Sequence, residues 1–192
     1  MQLTDGVAAR LAAVCLDRRG RLRDYDIWDA AARGALLVDL VHAGRLVDAD
    51  DGLALTTDPT GFLPADALLT AVAAEPGEPL DRWIDHGPVG MRDVAESCAA
   101  AGSWTARRGL LGTRYAAPAP VDPDAAVAAA VVVLTRACGA DGRRPEPVSD
   151  DELGATGDLR WICQAVTDRL AVVHRRYLGS AGAADGGSVP YY

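Results

Sequence analysis

The chain has 192 residues, enough for one domain with a real core and too few for two comfortable ones. Hydrophobic residues make up 49% and charged residues 24%, and no apolar run approaches the roughly 18 to 20 residues that a membrane-crossing helix needs. The net charge of −8 disfavours nucleic acid as a partner and generic attraction to an anionic bilayer, so any phosphate recognition must be local.

Leu3, Val7, Leu11, Val14 and Cys15 recur at helical spacing after Thr4, the expected N-cap of a first helix. A basic turn, Asp17-Arg18-Arg19-Gly20-Arg21, follows. Asp26 and Asp29 open a second helix through Leu37 and Val41, closed at Gly44. A hairpin is expected over Arg45–Asp48 and Leu53–Thr56, turning at Asp50-Asp51-Gly52. Pro64 suits the first turn of a third helix with Leu68, Leu69 and Val72, and a short amphipathic piece covers Leu80–Ile84. Met91–Ala101 reads as a helix ended by Gly102, before a second hairpin over Ser103–Arg108 and Thr113–Ala117. The pattern of helix, Ala-Gly and two strands therefore occurs twice, as two winged helix-hairpin units. Asp122-Pro123 reads as the start of a helix reaching Cys138, whose apolar run Ala125–Leu134 suits burial. Residues 139–148 read as a loop, and Ser149 with Glu152 as a capping box. Leu159, Ile162, Cys163, Val166, Leu170 and Val173 mark the last helix. The fold class expected is mainly α, one globular helical domain with two protruding β-hairpins.

Catalytic patterns are missing: there is no HExxH, GxSxG, Walker loop or strand-linked GxGxxG, and His42, His86 and His174 are isolated. His174 is expected on a solvated face. The cysteines (Cys15, Cys98, Cys138, Cys163) show no CxxC spacing and read as buried free thiols. No enzyme activity, cofactor or metal site is expected. The N-terminus, Met1-Gln2-Leu3-Thr4-Asp5, lacks the basic start of a signal peptide, which points to a cytoplasmic protein.

Two features carry binding chemistry. Leu110 and Leu111 occupy the second hairpin's turn between Gly109 and Gly112, flanked by Arg107, Arg108 and Arg114, a composition suited to a lipid interface or a partner's groove. The second is Arg18, Arg19, Arg21 and Arg23 beside Tyr25 and Trp28, where guanidinium forks could clamp a phosphate while a ring packs on sugar or inositol carbons. For both, folding back onto the core or plain solvation is the competing reading. Arg33 lies in a small, apolar stretch, Ala30-Ala31-Ala32-Arg33-Gly34-Ala35. If half buried, it needs a carboxylate or an anionic ligand.

With these residues in place the sequence resembles the Golgi phosphoprotein 3-like family, as a bacterial-type member. The matching stretches are Leu11–Arg21 (LAAVCLDRRGR), Arg33–Val47 (RGALLVDLVHAGRLV), Asp58–Leu69 (DPTGFLPADALL), Trp83-Ile84, the Ala101-Gly102 hairpin segment and Val127–Gly139 (VAAAVVVLTRACG). The resemblance implies one family domain over residues 1–178, and the Gly/Ala-rich composition after Leu178 reads as a flexible tail over 179–192. It also implies a cytoplasmic, peripherally membrane-associated protein that binds phosphatidylinositol 4-phosphate or another anionic phospholipid. In eukaryotes it implies an adaptor role for Golgi enzymes and vesicle machinery. In the family a tryptophan and three arginines form the headgroup pocket. Arg33 matches one arginine and Trp28 stands for the tryptophan, about one helical turn closer than in the family. The other two arginines fall near Pro88 and Met91, with Arg92 close by. Leu110 and Leu111, with Arg107, Arg108 and Arg114, match the hairpin that assists membrane insertion and self-association, which implies a possible homo-oligomer. The runner-up is a protein–protein adaptor using that hairpin, and a winged-helix nucleic-acid module ranks below both.

Overall fold

One helix is buried on every side, and the rest of the chain is arranged around it. The computed structural model describes residues 3–23, 25–49, 52–110, 112–119 and 124–184. The central helix is α2, Asp26–His42; Trp28 and every residue from Ala30 to Leu40 are buried. A helix that is small or apolar on nearly every side belongs in an interior. Its small residues set the packing distance: a Cβ on Gly34 would lie 2.3 Å from Val166 Cγ1, so only glycine lets the last helix this close. Around α2 pack α1 (Val7–Val14), α3 (Leu63–Ala74), α4 (Leu80–His86), α5 (Met91–Ala100), α6 (Ala125–Cys138) and α8 (Arg160–Ala184), while α7 (Asp150–Gly154) rests on α6 and α8.

Two aspartates of α2 cap other helices. The carboxylate of Asp39 accepts the Val7 amide at 2.7 Å and the Ala8 amide at 3.0 Å, filling donors that the first turn of α1 leaves open. The N-cap of α1 is therefore Gly6, not Thr4 as expected, because the capping oxygen comes from a neighbouring helix. A Cβ at Gly6 would sit 2.5 Å from Asp39 Oδ1. Asp29 serves α5 in the same way: it accepts the Met91 amide at 2.7 Å, and a Cβ at Gly90 would lie 2.4 Å from its Oδ1. Asp39 is fully buried, and burial pushes its carboxyl up to about 7 against the pull of the two amides.

The antiparallel hairpins are β1–β2 (Leu46–Ala49, Gly52–Leu55) and β3–β4 (Thr105–Gly109, Gly112–Ala116). Each follows a helix that ends on a left-handed glycine, Gly44 at φ 65° and Gly102 at φ 75°. The closing bonds also match: the Arg45 amide donates to the Leu40 carbonyl at 2.8 Å, and the Ser103 amide to the Cys98 carbonyl at 3.1 Å. The mainly helical class with two hairpins is thus the observed one, and the repeated unit has a repeated cap.

Other boundaries carry physical reasons. The expected helix start at Asp122-Pro123 lies outside the described residues, and Asp124 caps α6 by accepting the Ala126 amide at 2.8 Å. Ser149 and Glu152 form the reciprocal capping box that their spacing predicts. Helix α8 continues beyond Leu178 to Ala184, into the segment read as a tail, consistent with the helix propensity of its alanines. The final Pro190-Tyr191-Tyr192 lies outside the described residues.

Candidate functional site: two arginine environments

Arg33 projects from the middle of α2 and is buried at 9% exposure. Among the described residues no carboxylate pairs with it, and its bonds go to main-chain oxygens. Its Nε donates to the Ile84 carbonyl at 2.6 Å, one terminal nitrogen to Val89 at 3.0 Å and the other to Asp85 at 2.9 Å. Main-chain oxygens at the end of α4 thus supply what burial demands, and desolvation still lowers the guanidinium's proton affinity. Gly87 makes room for this arm, since a Cβ there would lie 2.7 Å from Arg33 Cδ. The adjoining cavity, about 480 Å³, is edged by Asp26, Asp29 and Asp85 as well as Arg33 and Arg176. Asp85 is itself occupied: its side chain takes two bonds from Arg169 and one from Arg176 at 3.1 Å. Those bonds, Arg169's first, hold its carboxyl below the usual range.

The second environment is the turn between α1 and α2. Asp17 Oδ1 accepts the amides of Arg19 at 2.7 Å and Arg21 at 2.9 Å, the Asp17 amide donates to the Arg21 carbonyl at 2.9 Å, and Gly20 turns the chain at φ 73°. The Arg21 amide, then the Arg19 amide and the nearby guanidiniums, hold the Asp17 carboxyl below its ordinary value. Its charge is thus engaged by the loop's own backbone, and the side chains of Arg18 and Arg19 stay exposed. This turn forms one wall of a cavity of about 810 Å³. Trp28 and Ile27 line it from α2, Cys15 from the C-cap of α1, Cys138 from α6, His174 from α8, and residues 139–143 from the opposite loop. His174 is half-buried between this cavity and a neighbouring one, instead of on a solvated face as expected, because the loop after α6 folds over α8. Tyr25 stands edge-on to Trp28 with ring centres 4.8 Å apart.

The second hairpin is tied to this turn. The Tyr115 amide donates to the Gly20 carbonyl at 2.7 Å, and a Cβ on Gly20 would approach the Tyr115 carbonyl oxygen to 2.3 Å. Beyond that root the hairpin stands free. All of β3 is exposed, and Leu110 at its tip is fully exposed at 106%. Leu111 lies outside the described residues. Arg107 and Arg114 are direct cross-strand partners, a like-charge pair that costs stability unless an anion intervenes.

Arginine pairing sorts these regions. Arg82, Arg136, Arg160, Arg169 and Arg176 each reach a carboxylate. Among the described residues, the guanidiniums of Arg18, Arg19, Arg21 and Arg23 on the turn, and of Arg107, Arg108 and Arg114 on the hairpin, make no hydrogen bond or ion pair. The same holds for Arg92 and Arg144. Arg21 Nε is buried and lacks any hydrogen-bond partner.

The family model described as Golgi phosphoprotein 3 (GPP34) matches residues 8–175. The chain belongs to that family. No curated protein matches it.

In this Golgi phosphoprotein 3 family member, the residues that the resemblance assigns to the headgroup do not share one cavity. Trp28 lines the larger one and Arg33 the smaller. Arg92 is exposed on α5 and lines neither. Its charge is felt instead at Tyr115, whose hydroxyl burial pushes up, with Glu96 adding to the rise and Arg92 opposing it. Near the places where the resemblance puts the other two arginines, Pro88 is exposed and Met91 is buried. Every cysteine is buried and free, and desolvation raises each thiol, Cys98 to about 11 and Cys163 to about 12. Among the described residues no cluster of His, Cys, Asp and Glu could hold a metal ion, and no helix is long and apolar enough to cross a membrane. Nothing in the sequence links the basic turn to the hairpin root, since Gly20 and Tyr115 are far apart and bond through their backbones. Asp39 did leave a signal, an acidic residue inside Leu36-Leu37-Val38-Asp39-Leu40, the same kind of anomaly that draws attention to Arg33.

Proposed function

We propose that this protein is a binding protein and not an enzyme, docking reversibly on membranes that carry an anionic phospholipid with a phosphoinositide-type headgroup. The observation that carries the reading is the free-standing hairpin, with Leu110 fully exposed at its tip and Arg107, Arg108 and Arg114 unpaired along it. An exposed leucine gains roughly 1.5 to 3 kcal/mol when it leaves water, a scale suited to attachment that can reverse. Anionic phosphates would relieve the repulsion between Arg107 and Arg114, which supports an anionic lipid over a neutral one. The bond from Tyr115 to Gly20 sets the basic turn beside the hairpin root, so both arginine groups can meet one surface despite the overall charge of −8.

The test is flotation with phosphatidylcholine vesicles, plain or containing phosphatidylinositol 4-phosphate or phosphatidylglycerol. Recovery with charged vesicles is expected to exceed that with plain ones and to fall several-fold for Leu110→Asp. Equal recovery in the soluble fraction for every composition would overturn the reading. A change in oligomeric state for Leu110→Asp with no lipid effect would transfer the hairpin to the adaptor or self-association role.

A further inference from the structure

We infer that an apolar groove between α1, α6 and the root of the second hairpin binds a soluble long-chain carboxylate. The aliphatic chain lies in the groove, and the acid group meets the exposed arginines at its edge. This binding is independent of membrane docking and of the Arg33 cavity.

The groove encloses about 530 Å³, within the roughly 300 to 1,000 Å³ of small-molecule sites. Ala9 and Ala13 line it from α1, Ala128 and Val131 from α6, and Trp104 from the chain entering β3. Alanines on both helices leave space that longer side chains would fill. From Asp5 to Val14 its edge follows α1 and the turn before it, for roughly 13 Å at 1.5 Å per residue. An elongated apolar space suits an extended chain better than a compact ring.

The two ends of the groove differ in charge. At one end Asp5 pairs with Arg10 at 2.8 Å, so the charges there offset each other. At the other stands Val14, 37% exposed, which lines both this groove and the larger arginine cavity. Arg18 and Arg19 border that cavity too; both are exposed, and their guanidiniums bond to no described residue. Asp17 does not cancel them, because its carboxylate is engaged by the Arg19 and Arg21 amides. An anionic head at the Val14 end therefore meets uncompensated positive charge, and a cationic head would be repelled. A carboxylate also matches the guanidinium fork in shape. The chain leaves water while the acid group stays at a solvated edge, so no polar part of the ligand is stranded.

The experiment titrates the full chain by calorimetry with octanoate, decanoate and dodecanoate below micelle-forming concentrations, and with decanol as the neutral counterpart. Affinity should rise about fourfold for each added methylene until the groove is filled. Ala128→Leu fills the groove from α6 and should weaken decanoate about tenfold or more. Ala13→Leu should do the same from the opposite wall, which keeps the test valid if one variant folds poorly. Arg18→Ala should weaken decanoate several-fold and leave decanol unchanged, a split that a folding defect would not produce. Leu63→Ser removes an exposed leucine at the start of α3 and should change nothing. Affinity indifferent to chain length, or decanoate binding untouched by both leucine variants, would overturn the site. Equal affinity for decanol and decanoate would overturn the arginine contact. No soluble binding, with vesicle flotation reduced by Ala128→Leu, would overturn the soluble ligand and give the groove to a bilayer acyl chain.

Discussion

Two groups of arginines in one small protein have opposite fates. Arg33 is buried in the central helix and donates one bond from each of its nitrogens, to the carbonyls of Ile84, Asp85 and Val89. The arginines of the α1–α2 turn stand around a larger cavity, and their guanidiniums bond to no described residue. The difference teaches that a charge in an apolar stretch of sequence points first to a structural debt, because burial without partners would be intolerable. A run of charges in a turn whose backbone is already satisfied leaves its side chains available for something outside the chain.

The widest separation between these groups should appear in stability. Arg33→Ala leaves three main-chain oxygens without their donor, and urea unfolding should show a loss of about 3 to 5 kcal/mol. A loss below about 1 kcal/mol would mean that Arg33 is not a structural clamp and would return it to the list of ligand residues.

A smaller effect is expected where the aspartate caps need bare backbone. Gly6→Ala would set a methyl 2.5 Å from Asp39 Oδ1, and the overpacking should cost roughly 1 to 3 kcal/mol in the same assay. Asp39 sharpens the comparison through pH. Its folded carboxyl titrates near 7 against an ordinary 3.8, so its contribution is fully present below about pH 4 and is lost as pH rises through about 7. In unfolding curves the slope from this group is negative over that window, at most about 1.4 kcal/mol per pH unit. Asp39→Asn should flatten it; a slope unchanged by that substitution would show that other groups set it.

The smallest effect belongs to the turn. Arg18→Ala and Arg19→Ala should each shift unfolding by no more than about 0.5 kcal/mol, because neither guanidinium holds the fold. A loss comparable to that of Arg33→Ala would erase the contrast between the two groups.

Much of the architecture was legible in the sequence because its signals are local. The Ala-Gly ends of α2 and α5, the capping box at Ser149 and the periodicity of the last helix each depend on neighbours within a turn or two. The cap of α1 was not legible in that way. Thr4 has the right chemistry in the right place, yet the oxygen comes from Asp39, more than 30 residues away. The candidate site divides similarly. Its chemistry was visible in the Arg18–Arg23 run beside Tyr25 and Trp28, while its opposite wall comes from residues 139–143 and from His174, which nothing local links to the turn. Arg33 stood out as an anomaly, but only the path of the α4–α5 connection reveals which atoms resolve it.

The aspartates at either end of α2 have one more consequence. Because Asp29 and Asp39 anchor the first turns of α5 and α1, the amides of Val7, Ala8 and Met91 can open to solvent only when the central helix lets go. Native-state hydrogen exchange at these three positions should therefore track global unfolding, although helix starts ordinarily fray. The protein's most protected protons should include some found at the beginnings of its helices.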